Sequence, residues 1–195
     1  DPSVVMDFIG GRGLGVYYLY REVPAGTDPL GEDNKLFLLN GPLAGSNVQS
    51  AARWMAVTLS PLTGAYARSV AGADFGAWLR WAGYDCIALE GRAEKPVYIH
   101  LTADSCQIHD AREIWGKDTV ATQEWLCKQH GETTRSACIG QAGENLVNYA
   151  AIVTGRRTCG SIRPNWSHPR GVRRRPTCSG RRGRWPPIGP CWPIW

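Results

Sequence analysis

The chain has 195 residues, 43% of them hydrophobic, and a formal net charge of +5, a length that holds one domain with a sizeable core, or one domain and a tail. No apolar stretch reaches the roughly 18 residues of a membrane helix, and the N-terminus lacks the basic-then-apolar pattern of a signal peptide, so the expectation is a soluble, cytoplasmic protein with no membrane partner. Seven cysteines without a C-x-x-C pair argue against a zinc ribbon or an iron–sulfur cluster loop, and their odd number argues against a complete disulfide framework.

Residues 13–22 carry Leu14, Tyr17, Tyr18 and Leu19 at helical spacing, and Pro24 closes the helix. Residues 36–39 read as a short apolar strand. Arg53 then opens an apolar run over 53–59 that reads as a strand, Ser60-Pro61-Leu62-Thr63-Gly64 as a turn, and a second strand runs to Ser69. Val70-Ala71-Gly72-Ala73 leads into a helix with Asp74 as the expected N-cap, Phe75, Trp78, Leu79 and Ala82 on one face, and Gly83 as its stop. Residues 86–89, 97–101 and 107–109 read as consecutive strands of an antiparallel meander. Residues 118–130 read as an amphipathic helix closed by Gly131, and 136–139 and 149–153 as strands. Short turns between strands that outnumber helices favour α+β over a doubly wound parallel sheet.

The pattern breaks after Gly160. Of the 22 Lys and Arg residues, eight are arginines in 161–195, which hold no lysine and no acid; residues 1–160 carry 14 basic against 17 acidic groups, a net of −3. The tail is dense in Arg, Pro and Trp and shows no apolar periodicity, so no element is assigned in it and it is expected to be disordered. Its composition is also that of an out-of-frame translation of a GC-rich gene. The expected organisation is a domain over 1–160 and a tail over 161–195.

The segment from Arg53 to Asp85 has the ingredients of an anion site. Backbone N–H groups in a side-chain-poor loop at a helix start favour phosphate, and a guanidinium adds a planar, permanently charged fork. Around it lie GGRGLG at 10–15, NGPLAG at 40–45, SPLTG at 60–64, AGYD at 82–85, EGRAEKPVY at 90–98, IWGK at 114–117 and IGQAGEN at 139–145. In this order and spacing, over residues 8–160, the sequence closely resembles the N-terminal domain of the aldehyde ferredoxin oxidoreductase family. The resemblance implies a β-rich saddle with mostly antiparallel sheets and a few helices, carrying a tungsten or molybdenum bis-pyranopterin with a bridging magnesium. It implies Arg53 as a contact to a pterin phosphate and Gly72 as a glycine that lets the backbone approach the cofactor. Val70 stands where the best-studied pattern has an asparagine associated with the magnesium; a backbone carbonyl can still serve, an amide side chain cannot. The whole enzyme would oxidise an aldehyde and pass electrons through a [4Fe-4S] cluster to ferredoxin, with a homodimer left open. The cluster ligands and acid–base residues belong to later domains, so no catalytic residue is assigned and the chain alone is expected to be inactive.

Other features read as structure. GGRGLG lacks the third glycine of a dinucleotide fingerprint, since Val16 stands in its place, and is read as a helix start packed on a sheet. His100, His109, His130 and His168 are scattered and read as surface or strand-edge residues rather than metal ligands. Glu144 and Asn145 read as a structural turn. The competing function is a non-catalytic binding module whose arginine- and tryptophan-rich tail contacts nucleic acid; the net acidic 160 residues before the tail argue against it, and no nucleic-acid partner is expected.

Overall fold

The computed structural model describes residues 2–147 and 149–154, together with the backbone of three short strands at 157–158, 171–174 and 192–194. The elements are helices α1 (Pro2–Phe8), α2 (Gly11–Glu22), α3 (Phe75–Trp81), α4 (Thr119–His130) and α5 (Gly140–Glu144). The strands are β1 (Lys35–Asn40), β2 (Trp54–Leu59), β3 (Tyr66–Ala71), β4 (Cys86–Glu90), β5 (Val97–Leu101), β6 (Cys106–Asp110), β7 (Ala137–Cys138), β8 (Val153–Thr154), β9 (Arg157–Thr158), β10 (Gly171–Arg174) and β11 (Trp192–Ile194). They form two sheets, ordered β10-β4-β1-β2-β3 and β6-β5-β11-β7-β8-β9. Every described pair is antiparallel except β11 with β7, so the α+β expectation holds.

The first sheet is covered on both faces, which is why β1 reads as an unbroken apolar run rather than an alternation. Phe37 and Leu39 pack with Leu14 and Leu19 of α2 and with Val57 and Cys86. Leu36 and Leu38 turn the other way, into a larger core with Trp54, Phe75 and Leu79, which continues to Tyr98, Ile99 and Leu101 of the second sheet and Leu126 of α4. Each fully buried aliphatic or aromatic side chain contributes roughly 1.5–3 kcal/mol. The glycine-rich start of α2 is a packing device, as expected: a Cβ on Gly15 would lie 2.7 Å from Val57 Cγ2 and 3.2 Å from Leu39 Cδ1, so only glycine lets the helix sit this close to the sheet.

Several expectations are corrected. The chain before α2 is helical (α1), an element the sequence reading leaves unassigned. The meander is broken: β5 pairs with β6, but β4 pairs with β1 in the other sheet, where both of its faces are buried. The expected strand at 149–153 shrinks to Val153–Thr154. Asp74 precedes α3 but its side chain does not cap it. By contrast, Asp118 caps α4, accepting from Ala121 N at 2.7 Å, and Gly83 (φ +86°) and Gly131 (φ +104°) terminate α3 and α4 in backbone conformations that suit glycine. Within the tail, β10 pairs with β4 and β11 with β5, where no element is expected from the sequence. An open sheet edge recruits extended chain through main-chain hydrogen bonds, which need no apolar period. Residues 159–170, 175–191 and 195 lie outside the described residues, and so does most of the tail for which disorder is expected.

Candidate phosphate-binding site

The candidate site sits at one end of the β2–β3 hairpin. The pairing of β2 with β3 runs from Leu59↔Tyr66 to Met55↔Val70 and Trp54↔Ala71; continued by one residue, it faces Arg53 with Gly72, about 5 Å apart at neighbouring strand positions. Arg53, Val70 and Gly72 are therefore brought together by strand register. The Ser60–Gly64 turn is at the opposite end, closed by Ser60 N to Ala65 O at 2.7 Å and Gly64 N to Ser60 O at 2.8 Å. Six strand residues separate it from Arg53, about 20 Å of extended chain, so it builds the hairpin and not the site. The strand beginning at 54 and not 53 has a packing cause: Trp54 is fully buried against Phe75, ring centroids 4.8 Å apart, whereas Arg53 is exposed.

Two glycines here behave oppositely. A Cβ on Gly76, in the first turn of α3, would lie 2.9 Å from Ala52 O and 3.1 Å from Trp54 Cβ, so this glycine seats α3 directly on the backbone that leads to Arg53. A Cβ on Gly72 would meet nothing within 4 Å, and the φ of Gly72 is not in the left-handed region. Neither packing nor conformation within the described residues accounts for a glycine at 72; open space above its backbone is what a ligand approaching closely would need. Between them Ala73 adopts φ +66°, a left-handed conformation that costs an alanine of the order of 1 kcal/mol.

This turn is held from outside. Arg135 Nε binds Asp74 Oδ2 at 2.5 Å, its Nη1 donates to Thr133 O and Thr134 O at 3.1 Å each, and its guanidinium lies 5.3 Å from the Trp78 ring centroid. The Asp74 carboxylate, expected to cap α3, is instead spent on Arg135. Arg53, in contrast, has no hydrogen bond or ion pair among the described residues, which leaves its five donors available. Trp54 Nε1 is a buried donor without a partner among the described residues. A free guanidinium, an unobstructed glycine backbone and the absence of any carboxylate bound to Arg53 suit a phosphate group. The position expected to carry the family's second arginine, just after Gly160, lies outside the described residues.

The largest departure from the sequence reading is the histidines. His100, His109 and His130, read as scattered, converge: ring centroids are 4.2 Å apart for His100–His130, 5.7 Å for His100–His109 and 6.2 Å for His109–His130. Tyr98 joins them, its hydroxyl 3.0 Å from His130 Nε2. Burial, then the neighbouring His130 and His109, lower the His100 pKa to about 4; burial and His109 lower that of His130. They belong to β5, β6 and the end of α4, so linear spacing carries no signal of the cluster. Among the described residues no group of His, Cys, Asp and Glu is arranged to hold a metal ion; His168 lies outside them. Glu144 is structural, accepting from Gly116 N at 2.8 Å, and burial raises its pKa. Burial pushes the Cys138 thiol up to about 12, which disfavours the nucleophilic thiolate.

Comparison with known proteins gives a consistent picture. Residues 1–163 match the family model described as aldehyde ferredoxin oxidoreductase, N-terminal domain. A tungsten-containing aldehyde ferredoxin oxidoreductase of Pyrococcus furiosus is 44% identical over 162 residues, 82% of this chain and 27% of that protein. The aliphatic sulfonate oxidoreductase, WOR-like subunit, of the same organism is 36% identical over 170 residues, covering 79% of this chain and 27% of that one. Among solved structures, the active-site complex BamBC of benzoyl coenzyme A reductase, in complex with 1,5-dienoyl-CoA, is similar with a TM-score of 0.79 and 33% identity, covering 85% of this chain and 25% of that one. The chain thus spans about a quarter of the length of the proteins it matches.

Proposed function

The chain belongs to the aldehyde ferredoxin oxidoreductase family, whose N-terminal domain it matches, and from that premise we propose that it is the cofactor-binding domain of an oxidoreductase that oxidises aldehydes to carboxylic acids with ferredoxin as acceptor. The cofactor would be a tungsten or molybdenum bis-pyranopterin with a bridging magnesium, which supplies two-electron chemistry at the metal, with a [4Fe-4S] cluster held by later parts of the full-length enzyme. The present residues bind and orient. Arg53 offers its guanidinium fork to a pterin phosphate, and the Gly72 backbone lies against the cofactor with no side chain between. Val70 has no polar side chain, so a magnesium contact there would use the main chain; β3 is an edge strand, so alternate carbonyls along it point away from the sheet. The observation that carries this reading is the β2–β3 register, which pairs Trp54 with Ala71 and so leads Arg53 and Gly72 out of the hairpin side by side, joined to the open space above Gly72.

A domain of this kind supplies electrostatics while the cofactor does the chemistry, so the chain alone should be catalytically inert. The related proteins include ones named for aldehydes, sulfonates and benzoyl coenzyme A; an aldehyde is the reading favoured by the higher identity. No helix of the described residues is long and apolar enough to cross a membrane, and a cytoplasmic location with ferredoxin as partner is part of the same proposal. The arginine-rich tail is read as an out-of-frame continuation, which the coding DNA tests: other frames downstream of Gly160 must contain a glycine-rich segment.

Pyrophosphate titration of the chain, followed by amide NMR shifts, tests the site directly. Shifts should centre on Gly72 and Ala73. Arg53→Ala removes a charge-assisted contact of about 1.5–3 kcal/mol, roughly ten- to a hundredfold in affinity. Unchanged shifts in Arg53→Ala would refute the assignment. In an enzyme with the downstream domains restored, the same substitution should lower tungsten or molybdenum content by mass spectrometry.

A further inference from the structure

The histidine cluster is not used by the phosphate site, yet it is built like a joint. It gathers three elements: Tyr98 and His100 alternate on one face of β5, His109 lies directly opposite Tyr98 on β6, and His130 is the last residue of α4. Trp125 of α4 meets Tyr98 edge-on at 6.1 Å, and the Tyr98 and His109 rings stack at 5.1 Å. His100 is 9% exposed and its Nε2 has no hydrogen-bond partner among the described residues. A neutral imidazole tolerates that position, whereas an imidazolium would be buried with an unsatisfied charged donor.

Among the described residues, the surroundings offer nothing to neutralise it. From β6, His109 is hydrogen bonded to Gln107 at 3.1 Å, and Asp110 is engaged by Arg112 at 2.8 Å. From α4 come His130 and Trp125; from β5, Tyr98; and β11 places Pro193 opposite His100. Among the described residues, the groups whose charge acts on His100 are the other two histidines, and no carboxylate is among them. Each proton taken up by one ring therefore opposes the next, at ring separations of 4.2–6.2 Å.

The segment beyond His130 links this joint to the phosphate site. Gly131 ends α4, and the next few residues run through Thr133 and Thr134 to Arg135, which grips Asp74, two positions past Gly72. We propose that His100, His109 and His130 form a proton-sensitive latch. Neutral, it fastens α4 to the β5–β6 hairpin; protonated, it releases the helix end and loosens the 131–135 segment that holds Asp74 beside Gly72. The local effect on α4 stands on the cluster alone. The effect on phosphate binding rests on the function proposed above.

Hydrogen exchange of the whole chain, compared at about pH 7 and pH 5 after correction for intrinsic exchange, tests the latch. Amides of α4 and 131–136 should lose about tenfold more protection than those of β1 and β2. His100→Phe should abolish most of that difference. If His100→Phe does not fold, His109→Gln, at a half-buried site, should reduce the difference by at least about threefold. In the wild type the His100 ring should remain neutral until well below the ordinary histidine range. Parallel loss of protection in α4 and β1–β2, a variant that keeps the full difference, or a His100 ring titrating near 6.5 would each overturn the proposal. Because no cofactor is present in this measurement, its failure leaves the pyrophosphate result at Gly72 untouched, and the reverse holds equally.

Discussion

Gly72→Ala and Gly76→Ala, four residues apart, should separate binding from folding. At Gly76 the new methyl would stand 2.9 Å from a backbone oxygen and 3.1 Å from Trp54 Cβ, distances at which α3 must shift, since neither neighbour is the end of a flexible side chain. Relief of the glycine entropy penalty in a helix contributes about 0.5–1 kcal/mol, against an overpacking cost of about 1–3 kcal/mol. The expected net loss is about 1–2 kcal/mol, or a fall in Tm of roughly 2–8 °C for a chain of this length. At Gly72 a methyl meets nothing within 4 Å and the backbone is not in the left-handed region, so stability should stay within about 0.5 kcal/mol of wild type. Pyrophosphate binding should nevertheless weaken, because the methyl occupies the space from which the anion approaches. Thermal unfolding by circular dichroism, paired with pyrophosphate titration of each variant, reads both quantities. A Gly72→Ala protein that binds as well as wild type, or that loses as much stability as Gly76→Ala, would refute the account of the open cradle.

The same geometry sets other outcomes. Ala73→Gly should raise stability modestly, since the φ of +66° costs an alanine about 1 kcal/mol more than a glycine; a lowered Tm would show that the conformation is not strained. Arg135→Ala should cost about 1 kcal/mol or less, the pair with Asp74 being partly exposed, yet should broaden the amide signals of 72–74; unchanged line widths there would argue against the clamp. The His100 pKa is held below its ordinary value, so the unfolded chain binds more protons between pH 6.5 and about 4. Its contribution to stability is full above 6.5 and disappears as pH falls through that window. Urea midpoints should accordingly fall more steeply with acid in the wild type than in His100→Phe, and equal slopes would refute the linkage. Cys138, with its thiol pushed up to about 12, should resist maleimide until the protein is unfolded, whereas the half-buried Cys106 and Cys127 should react first.

Local chemistry determined much of this protein. The glycine stops of α3 and α4, the hairpin turn at Ser60–Gly64 and most strand positions are set by residues within a few positions of each other, so they are legible in the sequence; the Asp118 cap is equally local but was added by the structure. The proposed pairing of Arg53 with Gly72 also starts in the sequence, from the resemblance that the order and spacing of the motifs carry. Tertiary structure decided what depends on which surfaces meet. Whether β4 continues a meander or joins β1 turns on where both its apolar faces can be buried, and a linear pattern does not specify the partner. Whether Asp74 caps its own helix turns on an arginine 61 positions away. The three histidines look solitary until β5, β6 and α4 fold together, and only then does burial of one ring beside two others give them a shared chemistry. The open space above Gly72 is likewise invisible in the chain, since an empty volume is defined by the neighbours that do not enter it.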